Sequence, residues 1–131
     1  MIIFVDTPAL YALLDADDHN HESARAVWAS WLEQPLLMCT NYVILESMAL
    51  IQHRLGMDAV RSFQEEMVPL FDVHWITPEL HAAATSALLA AGRRSISLVD
   101  WTSFEVMRRL GIRDAFTFDR HFAEQGFACL P

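Results

Sequence analysis

Short apolar runs alternate with stretches of helical periodicity along the whole chain, and that alternation sets the expected architecture. Ile2 to Val5 is a β-rich apolar run with no polar interruption, the pattern of a strand buried on both faces. Thr7 and Pro8 then predict a helix cap and a first helical residue, opening a helix over Ala9 to Leu14. The segment DADDHN (15–20) breaks the pattern as a polar loop. Beyond it Ala24, Val27, Trp28, Trp31 and Leu32 recur at helical spacing and predict a second, amphipathic helix ended by Pro35.

Leu36 to Cys39 predicts another short buried strand, followed by a long helix from about Asn41 to Leu55 that Gly56 closes. A further helix is expected from about Met57 to Met67 and a third strand over Phe71 to Ile76. Thr77 and Pro78 repeat the cap signature before an alanine-rich helix, Glu79 to Ala91, stopped by Gly92. A loop at Arg93 to Ser97 leads into a helix from about Val99 to Leu110. Gly111 turns the chain, and Ala115 to Phe118 and Phe127 to Cys129 supply two last strands. Strands alternating with helices imply a parallel sheet covered on both faces, because parallel neighbours need crossover connections.

In such a sheet the carboxyl ends of the strands and the amino ends of the following helices share one rim, where ligands bind. Four acids fall there. Asp6 terminates the first strand, Glu46 sits in the second turn after LLMC, Asp100 lies in a first helical turn, and Asp119 follows AFTF. Each also has a structural explanation. Asp6 could be an acid at a helix start, Asp100 could complete an S-x-x-D capping box with Ser97, and Asp119 could be a turn residue. Glu46 interrupts an otherwise apolar stretch, with a polar stripe shared with His53 as its alternative. A buried carboxylate must be paired, protonated or bound to a metal, and the sequence contains no lysine to pair it.

If the acids converge, two of them about 4 Å apart repel by about 4 kcal/mol at an effective dielectric of about 20. A hard divalent cation offsets that repulsion, and Mg²⁺ or Mn²⁺ prefers oxygen ligands. Such an ion also bears on the charge balance of the chain, which is −8 at pH 7 and argues against plain electrostatic binding of nucleic acid. Through a cation the acidic pocket could take a phosphate. Six arginines, Arg93, Arg94, Arg108, Arg109, Arg113 and Arg120, fall in the last third and could form a positive lip on an acidic body.

Composition adds little else. The 131 residues, 53 % hydrophobic and 20 % charged, suit one globular domain and argue against disorder. No apolar run approaches the roughly 20 residues of a membrane span and the opening MIIFVD is no secretory signal, so a cytoplasmic protein without a membrane anchor is expected. Cys39 and Cys129 lack any CxxC spacing and are expected to be unpaired. The cluster Asp15, Asp17, Asp18, His19 and His21 lacks the glycine and distal glutamate of a calcium loop and any zinc spacing, so an ordered turn is expected.

The blocks FVDTPALYALLDADDHNH, TNYVILESMAL, SISLVDWTSFEVMRRLGI and AFTFDRHFAEQGF together resemble the signature blocks of PIN-domain proteins, in order and over nearly the whole chain. Within that group the chain is most similar to the toxin ribonucleases of VapBC-type toxin-antitoxin systems. The resemblance implies a single PIN-like domain over 1–131, built as a three-layer α/β/α sandwich on a mostly parallel sheet of about five strands. It implies an endoribonuclease using one or two Mg²⁺ or Mn²⁺ ions, whose four acids fall on Asp6, Glu46, Asp100 and Asp119. Asp6 and Asp100 would be direct ligands, Glu46 and Asp119 direct or water-mediated, with Thr7 or Thr117 orienting them. Hydrolysis by metal-activated water, without a covalent enzyme intermediate, is the implied chemistry.

The resemblance further implies a homodimer and a small antitoxin whose tail blocks the acidic cleft. Trp28, Trp31 and Leu32 could belong to that interface or, as such stripes more often do, to the core. Arg93, Arg94 and Arg120, next to the third and fourth acids, could touch RNA phosphate or simply be solvated. An aspartyl-phosphate phosphatase or receiver domain also places an Asp after its first strand. Those families need a lysine, absent here, and the phosphatase motif wants a second Asp where Pro8 stands. A nucleophilic Ser or Cys route finds no motif. The remaining alternative is a non-catalytic binding or scaffold module whose acids serve only as caps.

Overall fold

The computed structural model describes residues 1–31 and 33–131. Five strands, β1 (Ile2–Val5), β2 (Leu36–Thr40), β3 (Phe71–His74), β4 (Asp114–Phe116) and β5 (Ala128–Leu130), form one sheet in the order β3-β2-β1-β4-β5. Every neighbouring pair is parallel. Helices α1 (Thr7–Leu14) and α2 (His21–Ser30) join β1 to β2. Helices α3 (Asn41–Leu55) and α4 (Met57–Ser62), with a π turn at Phe63–Met67 and a 3-10 turn at Val68–Leu70, join β2 to β3. Helices α5 (Pro78–Ala91) and α6 (Leu98–Leu110) carry the chain back to β4, and α7 (His121–Glu124) leads to β5. Right-handed crossovers running first toward β3 and then toward β5 place the two helix sets on opposite faces, giving the expected three-layer α/β/α sandwich.

The central strand justifies its uninterrupted apolar run, since Ile3, Phe4 and Val5 are all fully buried. Residues paired in register share a face of the sheet, so Phe4 and Ala115 point one way and Val5 and Phe116 the other. On the first face Phe122 of α7 lies 6.4 Å from Phe4 and 4.9 Å, edge-on, from Phe104 of α6, which in turn lies 5.9 Å from Phe127. Each such pair contributes about 0.5–1.5 kcal/mol beyond its burial. The cluster therefore fixes β1, α6 and α7, the elements beside Asp6, Asp100 and Asp119, against one another. On the second face Trp28 and Trp31 pack on Phe116 at 6.5 and 5.7 Å. Those two tryptophans are half-buried and pack against the core; Leu32, expected in the same stripe, lies outside the described residues.

Several boundaries differ from the sequence reading, each for a local reason. The first helix begins at Thr7 and its cap is Asp6, not Thr7. Pro8 tolerates either register because proline is compatible with the whole first turn. The third strand stops at His74 instead of Ile76, because the Asn41 side chain accepts the Ile76 N–H at 2.8 Å and takes it out of the ladder. The helix expected to reach Met67 loses α geometry after Ser62, and Pro69, without an N–H, prevents its resumption. β4 ends at Phe116 and β5 runs to Leu130, while α7 was not anticipated: four residues are too few to show a period.

The acidic segment after α1 is an ordered turn, as expected. Asp15 accepts the Tyr11 hydroxyl at 2.6 Å and the Asp17 N–H at 3.0 Å, and Asp18 accepts the Asn20 N–H at 2.9 Å. Cys39 and Cys129 are both unpaired. No described helix is long and apolar enough to cross a membrane.

Candidate active site

Strand order dictates where a site can form. From β1 the chain moves to β2 on one side, while β4 lies on the other, so the crevice between β1 and β4 is the switch point of the sheet. Asp6 leaves β1 at this point, and Thr117 and Asp119 leave β4 there. Asp100 arrives from α6, whose start is set by Gly92: the left-handed glycine (φ +60°) ends α5 and releases the loop that precedes Ser97. Carboxylate oxygens of Asp6, Asp100 and Asp119 come within 4.8 Å of one another, the only such gathering of potential metal ligands among the described residues. Glu46, in the second turn of α3, stands outside that triad but feels the charges of Asp100 and Asp119.

Asp6 occupies a cap position without capping. Its Oδ2 accepts the Thr117 hydroxyl at 3.0 Å, and its Oδ1 is buried with no partner at all. Burial, then the charges of Asp100 and Glu46, push its pKa up to about 8, against the lowering effect of the Thr117 hydroxyl and the Thr7 backbone. The Thr117 oxygen also accepts the Asp119 N–H at 3.0 Å, so one hydroxyl straps the first acid to the fourth. The Thr7 hydroxyl, by contrast, donates to the Val43 carbonyl at 3.5 Å. It accepts the Ser47 hydroxyl at 3.0 Å and offsets the burial that raises the Glu46 pKa.

Asp100 both caps its helix and joins the acidic triad. Its Oδ2 accepts the Ser97 N–H at 2.9 Å and the Ser97 hydroxyl at 3.1 Å, while Ser97 Oγ accepts the Asp100 N–H at 3.2 Å, a complete capping box. The same carboxylate belongs to the triad, and burial followed by the Asp119 charge raises its pKa. Asp119 closes an Asx turn in which Oδ1 accepts the His121 N–H at 2.9 Å. The three arginines singled out lie at the surface. Arg93 reaches Glu124 at 3.1 Å and Arg120 the same residue at 4.0 Å, exposed pairs of small energetic weight. Arg94 is exposed.

Ser47, Ser95 and His121 escaped the sequence reading. His121 could have been suspected, because an Asp side chain that accepts the backbone N–H two residues on, in an Asx turn, draws that residue beside it.

Three carboxylates at about 5 Å repel pairwise by about 3 kcal/mol at a dielectric of about 20 if all are ionised. Either protons or a cation must relieve that repulsion. The donor set is oxygen only, and the unpartnered buried Asp6 Oδ1 offers a lone pair with nothing to receive it. Both features fit a hard divalent cation.

A parallel α/β/α sandwich with carboxylates gathered at its switch point defines a class of proteins with an acidic, cation-seeking centre. The chain belongs to the PIN domain family, whose model matches residues 3–128. It is 37 % identical over 127 residues, 96 % of this chain and 95 % of the relative, to the 23S rRNA-specific endonuclease VapC20 of Mycobacterium tuberculosis. The crystal structure of that protein, described as a Sarcin-Ricin loop cleaving toxin, superposes with a TM-score of 0.87 at 36 % identity, over 98 % of this chain and 97 % of the other. FitAcB from Neisseria gonorrhoeae shares the fold at a TM-score of 0.71 and 16 % identity, over 100 % of this chain and 97 % of that one.

Proposed function

We propose that this chain is a Mg²⁺- or Mn²⁺-dependent endoribonuclease that hydrolyses RNA phosphodiester bonds with an activated water and no covalent enzyme intermediate. The observation that carries this reading is the triad of Asp6, Asp100 and Asp119, whose first member also keeps a buried carboxylate oxygen without a protein partner. When bound, a divalent ion there would lower the pKa of a water, accept a phosphate oxygen and stabilise charge on the leaving oxygen. Asp6, Asp100 and Asp119 would hold it.

Glu46, half-buried and with a raised pKa, is suited to exchange a proton at the rim of the site. Thr117 orients Asp6 and Asp119, and Thr7 steadies Glu46. Arg93, Arg94 and Arg120 supply the positive charge that positions RNA phosphate on an otherwise acidic molecule.

Similarity to VapC20 over nearly the full length of both chains supports a structured ribosomal RNA loop as the target class. The same similarity supports a toxin, and we read the chain further as the toxin of a type II toxin-antitoxin pair, a cytoplasmic homodimer held inactive by a cognate antitoxin.

Incubation of purified protein with total RNA, with and without Mg²⁺, and mapping of the fragment ends tests the reading. Cleavage at a small number of sites is expected, lost in EDTA and reduced at least 100-fold in Asp100→Asn, the order of effect expected for losing a ligand of the ion that would stabilise charge in the transition state. Equal cleavage by Asp100→Asn, or cleavage that survives EDTA, would sink it.

A further inference from the structure

Beyond the four acids, the structure points to one more residue that shapes the centre. His121 is 8 % exposed and sits two residues after Asp119. Its Nδ1 lies 2.7 Å from Asp119 Oδ1, too far off line for a hydrogen bond, and this buried nitrogen has no hydrogen-bond partner. Its Nε2 lies 3.5 Å from the hydroxyl of Ser95. Ser95 belongs to the loop that continues into Ser97 and Asp100, so the imidazole spans from the fourth acid to the segment delivering the third.

Only one oxygen of Asp119 is engaged by the protein. Oδ1 accepts the His121 N–H and faces its ring, whereas no hydrogen bond among the described residues reaches Oδ2. A carboxylate pinned at one oxygen presents the other in a fixed direction. Partners of this kind around metal-binding carboxylates typically set affinity by 10–100-fold.

We propose that His121 is a positioning residue for the cation centre, an inference that rests on the metal-dependent reading above. With the ring proton on Nδ1 the N–H faces Asp119 Oδ1 at 2.7 Å and needs only a small ring rotation to donate to it, while Nε2 accepts the Ser95 hydroxyl. That pair of contacts fixes how Asp119 offers Oδ2 and couples its orientation to the loop before Asp100.

The test is Mn²⁺ binding to the metal-free full chain without RNA, by calorimetry or loss of the free-ion electron paramagnetic resonance signal. Asn carries its amide nitrogen where His carries Nδ1, and Gln carries it nearer Nε2. His121→Asn is therefore expected to bind within about threefold of the unaltered chain, and His121→Gln and His121→Ala at least about tenfold more weakly. Should the alanine variant fail to fold, the Asn and Gln pair decides alone. Equal affinities for those two, or an alanine variant matching the unaltered chain, would overturn the role of His121 while leaving the metal centre standing. Failure of the unaltered chain to bind Mn²⁺ any better than Asp100→Asn would overturn both.

Discussion

Asp6 is the residue on which folding and function conflict most directly. Its pKa rises from 3.8 to about 8, chiefly through burial and then through Asp100. A folded state that binds this proton more tightly than the unfolded chain gains stability from it below about pH 4 and loses that gain as pH rises through about 8. Glu46 and Asp100 are shifted in the same direction and steepen the trend. The melting temperature of the metal-free protein is therefore expected to fall between pH 5 and pH 8.5, and to fall less in Asp6→Asn; a parallel slope in both would contradict the assignment. Mn²⁺ must displace the same proton, so its affinity is expected to increase over that interval, with proton release measurable by calorimetry in buffers of different ionisation enthalpy.

The start of α6 makes one local motif serve two purposes. Ser97 caps the helix and also holds Asp100 Oδ2, so the device that begins the helix orients a carboxylate of the centre. Ser97→Ala is expected to cost about 1 kcal/mol of stability and to weaken Mn²⁺ binding as well. Thr77 provides the matched control, because it caps α5 by accepting the Leu80 N–H at 3.2 Å and makes no hydrogen bond to any of the four acids. Thr77→Ala is expected to cost a similar amount by denaturant unfolding while leaving Mn²⁺ affinity unchanged. If both cap variants weaken Mn²⁺ binding equally, general loosening and not the orientation of Asp100 explains the effect.

Across the whole molecule, the apolar layers and the acidic centre are mutually dependent. The Phe4, Phe104 and Phe122 cluster holds the three elements that bring these acids together, and a cation bound there would remove the repulsion that the cluster otherwise opposes. Saturating Mn²⁺, at about 100 times its dissociation constant, should stabilise the fold by about 2.7 kcal/mol and raise the melting temperature by several degrees. No comparable increase is expected in Asp6→Asn or Asp100→Asn. An unaltered chain whose melting point does not respond to millimolar Mn²⁺ would favour the scaffold alternative.

Much of this architecture was present in the order of residues. Buried strands such as Ile2–Val5 and caps such as Thr77-Pro78 are local patterns, and local physics places them. Alternation of strand and helix was enough for a parallel three-layer fold, and position after a strand or in the opening turns of a helix was enough to nominate four acids. Local pattern could not say that Asp6 would cap α1 without bonding it, nor that β3 would yield its last donor to Asn41. It could not show that Asp6 would meet Thr117, a residue 111 positions away. Those outcomes depend on which strands become neighbours at the switch point, and strand order is fixed only when the apolar faces are packed together. Packing likewise decided which oxygen was left buried and alone, because that is a property of everything surrounding Asp6 and of nothing adjacent to it in the chain.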